Sequence, residues 1–176
     1  VGIPATIGGA LTMNAGTPDG ASGDFVSAAY FLHPDGTLGE FKPSGGAFTY
    51  RGFHFPPGAV LIGCRLRLHR RPLPEIQKDI KQRLKIKKAT LPLALASAGC
   101  VWQNPPSDTA CRLIERAGLK GKRLNGAEIS SKHANFIVNR GGGTAADVLA
   151  LMDLTRERVQ AQFGISLESE IRIVGE

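Results

Sequence analysis

Three groups of residues in this 176-residue chain have types and spacing that could do chemistry. The first is the glycine-rich opening, which contains Gly2, Ile3, Pro4, Gly8, Gly9, Thr12, Asn14 and Gly16. Small residues let a backbone approach a ligand closely, and successive backbone N–H groups can bind a pyrophosphate or hydrogen-bond a flavin ring. The segment is neither a G-x-G-x-x-G turn nor a phosphate loop with its lysine, so a plain run of turns also accounts for it. The second group is Cys100, flanked by Gly99 and followed by Asn104-Pro105. A thiol presented on a loop at a domain junction can donate a proton, and a buried, inert thiol is the plainer alternative. The third is Arg51 with Glu170, far apart in sequence, for each of which a salt bridge or simple solvent exposure is a sufficient reason by pattern alone.

Ordinary elements must hold these groups. Residues 24–32 are largely strand formers, Asp35-Gly36 is a hairpin signal, and residues 38–41 can return antiparallel. Across residues 60–68 the apolar side chains fall at 60, 62, 64, 66 and 68 while Arg65 and Arg67 point the other way, which predicts a strand with one core face and Cys64 within it. Pro72 and Pro74 then break the sheet. Ile76, Ile80 and Leu84 make one face of a helix over residues 75–88, and a domain boundary falls near here. An extended apolar link leads to Cys100, and a further helix follows with Ser107 or Asp108 as its cap, Leu113 and Ile114 inward and Gly118 as its stop. Strands are predicted around residues 127–129 and 135–138. After Gly141-Gly142-Gly143 comes a long helix capped by Thr144 and Asp147, stopped by Gly164, and striped by Val148, Met152, Val159 and Phe163. Met152 is read as core and not as a cofactor contact. In residues 165–174, Ile171 and Ile173 alternate against Glu170 and Arg172, which predicts a last strand. The whole reads as α+β.

Composition limits the function classes. With 42% hydrophobic residues the chain is not disordered and can bury one substantial core or two small ones. No apolar run of about 20 residues predicts a membrane-spanning helix. The balance of 22 Lys plus Arg against 15 Asp plus Glu, net +7, favours an anionic partner. Cys64, Cys100 and Cys111 are odd in number and lack C-x-x-C spacing, which supports neither a disulfide scaffold nor a zinc site and suits a reducing, cytoplasmic setting. The lysines of residues 78–88 make either a nucleic-acid stripe or a solvated helix face, and an aromatic content of 6% weakens any stacking-based reading. The opening residues look like the middle of a globular protein, so the chain is expected to be a fragment.

Several segments taken in order carry a more specific pattern. They are Gly2-Ile3-Pro4, Gly8-Gly9-Ala10-Leu11, Met13-Asn14-Ala15-Gly16, Tyr50-Arg51, Ala98-Gly99-Cys100-Val101-Trp102-Gln103-Asn104-Pro105, Gly126-Ala127-Glu128-Ile129-Ser130, Lys132-His133-Ala134-Asn135-Phe136-Ile137-Val138-Asn139 and Glu168-Ser169-Glu170-Ile171-Arg172. This collinear set resembles the FAD-dependent UDP-N-acetylenolpyruvoylglucosamine reductase family of peptidoglycan precursor synthesis. The resemblance implies that NADPH reduces FAD and that the flavin passes hydride to the enolpyruvyl double bond of the UDP-sugar. An enolate-like intermediate needs positive charge at its carboxylate, the role the resemblance implies for Arg51. It implies Cys100 as the proton donor, a thiol being a stronger acid than the serine some members carry, and Glu170 as a group assisting at the same intermediate. Tyr50, Asn104 and His133 are implied contacts of the UDP-sugar, and the opening glycine segment of the flavin.

The same resemblance implies a domain plan. Residues 1–73 are the C-terminal part of an FAD-binding domain, 74–89 a linking helix, 90–164 a UDP-sugar-binding domain, and 165–176 a strand returning to the flavin region, bringing Glu170 to Cys100 across a cleft. The family's N-terminal part is not in the chain. The expected protein is a cytoplasmic monomer with a UDP-sugar substrate, no metal, and no nucleic-acid or membrane partner. Two other readings are another flavin oxidoreductase on the same scaffold and a basic nucleic-acid-binding module, the latter with salt-sensitive binding to generic polyanions.

Overall fold

The first helix starts where Thr6 turns its hydroxyl onto the Gly9 N–H at 3.1 Å, capping α1 (Ile7–Thr12). The computed structural model describes residues 3, 5–17 and 19–175, so the expectations placed on Gly2 and Pro4 lie outside the described residues. The chain divides into two units, Val1–Asp79 and Ile80–Glu176.

In the first unit, α1 is followed by a small hairpin, β1 (Gly16–Thr17) and β2 (Gly20–Ala21), and a 3-10 turn, Ser22–Phe25. The predicted hairpin is present as β3 (Val26–Leu32) against β4 (Leu38–Phe41), antiparallel with Leu32 opposite Leu38. Asp35 fixes its turn by accepting hydrogen bonds from the Thr37 amide at 2.9 Å and hydroxyl at 2.7 Å. A second hairpin, β5 (Phe48–Thr49) and β6 (Gly52–Phe53), precedes β7 (Val60–Leu66). The three-stranded sheet runs β4-β3-β7, with β7 at one edge. Alternation along β3 sends Ala29 and Phe31 into a core with Ala47 and Phe53, extended by stacked rings at Phe31–Phe55 (4.9 Å) and Phe48–Phe53 (4.1 Å).

The expected core face of residues 60–68 is corrected here. The β3–β7 register shifts between Tyr30 and Phe31, so Leu61 comes opposite Phe31 and packs on the aromatic cluster. Val60, Ile62, Leu66 and Leu68 are exposed, and Cys64 is half-buried. The amphipathic helix does form, as α2 (Leu73–Thr90), with Ile76, Ile80 and Leu84 half-buried and Lys78, Lys81, Lys85 and Lys88 outward. The division between the units falls within it.

The second unit holds β8 (Ala96–Cys100), α3 (Ala110–Arg116), β9 (Arg123–Leu124), β10 (Ala127–Ile129), β11 (Phe136–Asn139) and α4 (Ala145–Phe163). Its antiparallel sheet runs β8-β11-β10-β9. The core joins Leu113 and Ile114 of α3, Leu151, Met152 and Val159 of α4, and Ile129 and Ile137 of the sheet. The Thr144–Asp147 capping box and the left-handed Gly164 bound α4 as predicted. The cap of α3 is Thr109 and not Ser107 or Asp108; Asp108 instead pairs with Arg112 and Arg116 across the first turns.

Residues 165–174 do not form the expected strand. Their one bridge among the described residues is Ser169 with Trp102. Leu167, which is buried, and Ile171 lean on the core from positions four apart, while Ile173 is exposed. That single bridge does not extend into a ladder, so the segment stays irregular.

Candidate functional site

Cys100 closes β8 opposite Phe136 of β11 and is half-buried. Gly99 before it has φ +89°, a left-handed backbone that a side chain would strain. The chain beyond Cys100 is held from two sides. On one side the Val101 amide donates to the Asn135 carbonyl at 2.9 Å. The Asn135 carboxamide, itself buried, accepts from the Trp102 amide at 2.9 Å and donates to the Trp102 carbonyl at 2.8 Å. On the other side the Glu170 amide donates to the Val101 carbonyl at 2.8 Å, and the Gln103 amide donates to the Glu168 carbonyl at 2.9 Å. Glu170 therefore sits one register position from Cys100, inside the second unit.

His133 and Asn104 lie at the same end of this sheet. The buried Ser130 hydroxyl accepts from the amides of Lys132 at 3.1 Å and His133 at 3.3 Å, forming a tight turn into β11. The imidazole edge of His133 meets the Phe136 ring at 5.0 Å. Its Nδ1 is buried without a hydrogen-bond partner in the structure. Burial holds the His133 pKa below the usual histidine value, with the Glu115 carboxylate pulling weakly the other way. Asn104 is exposed, and its Oδ1 accepts from the Ala110 amide at 3.0 Å, tying it to the start of α3.

The remaining candidates belong to the first unit. Arg51 has φ +58° in the β5–β6 turn and lays its guanidinium over the Tyr50 ring, 4.8 Å from the centroid. Asn14, buried and at φ +41°, donates to the Thr49 carbonyl at 2.8 Å and accepts from the Gly23 amide at 2.9 Å. It thereby braces the hairpin that carries Tyr50 and Arg51. The Thr12 hydroxyl donates to the Gly8 carbonyl at 2.9 Å. A Cβ built at Gly8 would find its nearest neighbour 4.0 Å away, so α1 offers bare backbone there. Ile3 and Gly9 are exposed and Gly16 is half-buried.

Asn135 and Glu128 fall within the sequence motifs, which indicate a role for neither. Glu128 is buried on β10, clamped by Arg123 and by both Nε and Nη2 of Arg140. A glutamate inside an apolar strand run was the available signal, since a buried carboxylate needs a partner. Nothing in sequence spacing marks the Asn135 carboxamide as a bridge. No group of three or more His, Cys, Asp or Glu gathers as a metal cluster among the described residues, and no described helix is long and apolar enough to cross a membrane.

The two units, a mixed α/β fold with a cysteine-bearing edge strand in the second, match one enzyme class, the reductases of a UDP-sugar. A family model for the UDP-N-acetylenolpyruvoylglucosamine reductase C-terminal domain matches residues 91–174. The chain is 45% identical over 175 residues to the UDP-N-acetylenolpyruvoylglucosamine reductase of Moorella thermoacetica, covering 99% of this chain and 58% of that protein. It is 46% identical to that of Anaeromyxobacter sp. strain Fw109-5, covering 55% of it. The crystal structure of UDP-N-acetylenolpyruvylglucosamine reductase (MurB) from Thermus caldophilus matches 98% of this chain and 61% of its own at a TM-score of 0.85 and 41% identity. The chain belongs to the UDP-N-acetylenolpyruvoylglucosamine reductase family. It spans between half and two thirds of the length of these relatives.

Proposed function

We propose that this chain supplies the substrate-binding and proton-delivering part of a reductase that converts UDP-N-acetylenolpyruvoylglucosamine to UDP-N-acetylmuramate in peptidoglycan synthesis. The observation that carries this reading is the register of Glu170 opposite Val101, beside Cys100, through a hydrogen bond of 2.8 Å. Backbone pairing thus brings a thiol-bearing and a carboxyl-bearing segment together, an arrangement suited to delivering one proton to a carbon.

The residues of α1 fit one wall of a flavin site. Thr12 and Asn14 use their side chains within the unit, and Gly8 leaves open backbone, so the main chain of residues 8 and 9 would hold FAD there. The chemistry FAD supplies when bound is hydride transfer from NADPH to the enolpyruvyl double bond. This chain's own residues do the rest. Arg51 neutralises the substrate carboxylate as enolate character develops. Cys100 protonates the carbon that bears this carboxylate, and Glu170 orients or replenishes the proton. Tyr50, Asn104 and His133 hold the UDP-sugar, His133 as a neutral imidazole because burial disfavours its charge. The protein works as a cytoplasmic monomer, with residues 1–73 on the flavin and residues 90–164 on the substrate.

Calorimetric titration of the 176-residue chain with UDP-N-acetylenolpyruvoylglucosamine tests the substrate half of this reading. Saturable binding, weakened about tenfold or more by Asn104→Ala or His133→Ala, is the expected result. Binding that neither substitution changes overturns the assignment of these residues, and no binding at all removes the substrate site from this chain.

A further inference from the structure

The alternation of residues 60–68 has the pattern of a strand with one covered face, yet the described chain leaves that face open. Val60, Ile62, Leu66 and Leu68 are 59%, 54%, 42% and 69% exposed. They lie on or just after β7, an edge of its sheet. Folded proteins protect such edges with charge, proline or short length. β7 has seven residues, and its first five, Val60-Leu61-Ile62-Gly63-Cys64, carry neither charge nor proline, so the bulge at Ile62 is their one edge-blunting feature. Beside the edge runs an apolar groove of about 170 Å³ between α1, the 3-10 turn and the end of β7, bordered by Ile7, Leu11, Phe25, Leu66 and Leu68. Ile7 and Phe25 are themselves exposed.

The relatives indicate what covers this surface. The chain accounts for 58% of the Moorella thermoacetica reductase, and the family's C-terminal domain already occupies residues 91–174. The unmatched part of such relatives is therefore mainly sequence that comes before the matched part. We infer that the β7 edge and its groove receive one added polypeptide strand, apolar at every second position, supplied by the part of these relatives that the chain does not span. The strand pairs with the outward backbone groups of β7 and sets its own apolar side chains beside Val60, Ile62 and Leu66. A second copy of this chain is the poorer occupant, because two molecules of net charge +7 repel one another. The inference stands on family membership and not on the proposed reaction, so loss of enzymatic activity leaves it untouched.

The test joins the unmatched N-terminal segment of the Moorella thermoacetica reductase ahead of residue 1 and compares amide hydrogen exchange in the fusion and in the 176-residue chain. Exchange at Val60–Leu66 slows about tenfold or more in the fusion, while Phe136–Asn139 serves as an unchanged control. Ile62→Lys and Leu66→Lys alter exposed positions, so each chain alone keeps its circular dichroism, and in the fusion each returns β7 to fast exchange. Equal β7 exchange in fusion and chain, with the control strand protected, overturns the inference. So does β7 protection in the chain alone that rises with concentration alongside a dimer in sedimentation, which assigns the edge to a second copy. Should the fusion leave the control strand unprotected, synthetic peptides tiling the same segment are added to the intact chain, and failure of every peptide to slow β7 exchange is equally fatal.

Discussion

The carboxamide of Asn135 clasps both backbone polar groups of Trp102, accepting from its N–H at 2.9 Å and donating to its carbonyl at 2.8 Å. One side chain thus does what a neighbouring strand would do, where β8 has ended and the register between β8 and β11 shifts. Trp102 is fixed, and with it the path from Cys100 to Asn104. Asn135→Ala leaves a buried donor and acceptor unmet, which costs about 1–3 kcal/mol each. Urea unfolding followed by the fluorescence of Trp102, the chain's single tryptophan, measures that loss. The Cys100 thiol should also react faster with a maleimide once its segment is released; unchanged stability together with unchanged reactivity shows the clasp to be idle.

Asn14 has the corresponding place in the first unit, tying Thr49 to Gly23 and so bracing the hairpin that presents Tyr50 and Arg51. Asn14→Ala should cost about 1–2 kcal/mol and speed amide exchange at Gly52 and Phe53, while exchange in β10 and β11 stays as it was. Asn14→Gly relieves the positive φ yet removes the same bonds, so it should loosen the hairpin as much as alanine does. If only alanine does so, backbone strain and not the carboxamide is responsible.

What the sequence made legible follows from which contacts are local. The hairpin at Asp35-Gly36, the face of α2 and both ends of α4 depend on residues a few positions apart, and each appears where its pattern predicts. The motif residues Cys100, Asn104, His133 and Glu170 converge on one end of one sheet, which motif order alone could suggest but not build. Three features needed long-range partners and were misread or missed. The face of β7 depends on a register shift against β3. Residues 165–174 pair with an irregular segment, so their alternation is not realised. The Asn135 bridge spans 33 positions and leaves no periodic trace.

Glu128 should give the second unit a pH-dependent stability. Hydrogen bonds from Arg140, then from Arg123, hold its carboxyl below the usual glutamate range against the opposing effect of burial. A depressed folded-state pKa means that the contribution is present above the unfolded value of about 4.3 and is lost as pH falls through the folded value. Arg123 and Arg140 are 60% and 40% exposed, so solvent screens the pair. Glu128→Gln should therefore cost about 1–3 kcal/mol at pH 7. Denaturation at pH 7 and at pH 3 checks this: the gap between wild type and variant narrows in acid, and a constant gap rules the charge out as its source.

His133 titrates in the opposite sense to an ion-paired histidine. Burial depresses its pKa, so the unfolded chain takes up the proton first as pH falls. Its contribution to stability is fully present above the unfolded value of about 6.5 and declines as pH drops from there toward the folded value. Histidine NMR should find its midpoint below about 6.5 in the free chain. A midpoint at or above that value would mean that the imidazole is not desolvated as the packing on Phe136 indicates. Repeating the titration with the UDP-sugar bound identifies which part of the ligand lies beside the ring. A donor bonding to the orphaned Nδ1 favours the neutral form and moves the midpoint further down, whereas a nearby diphosphate favours imidazolium and moves it up. Linkage requires the affinity to follow the same sign, strengthening above the midpoint in the first case and in acid in the second. A midpoint that the ligand does not move, while binding is intact, takes His133 out of the substrate site and leaves it as a packing residue of the turn into β11.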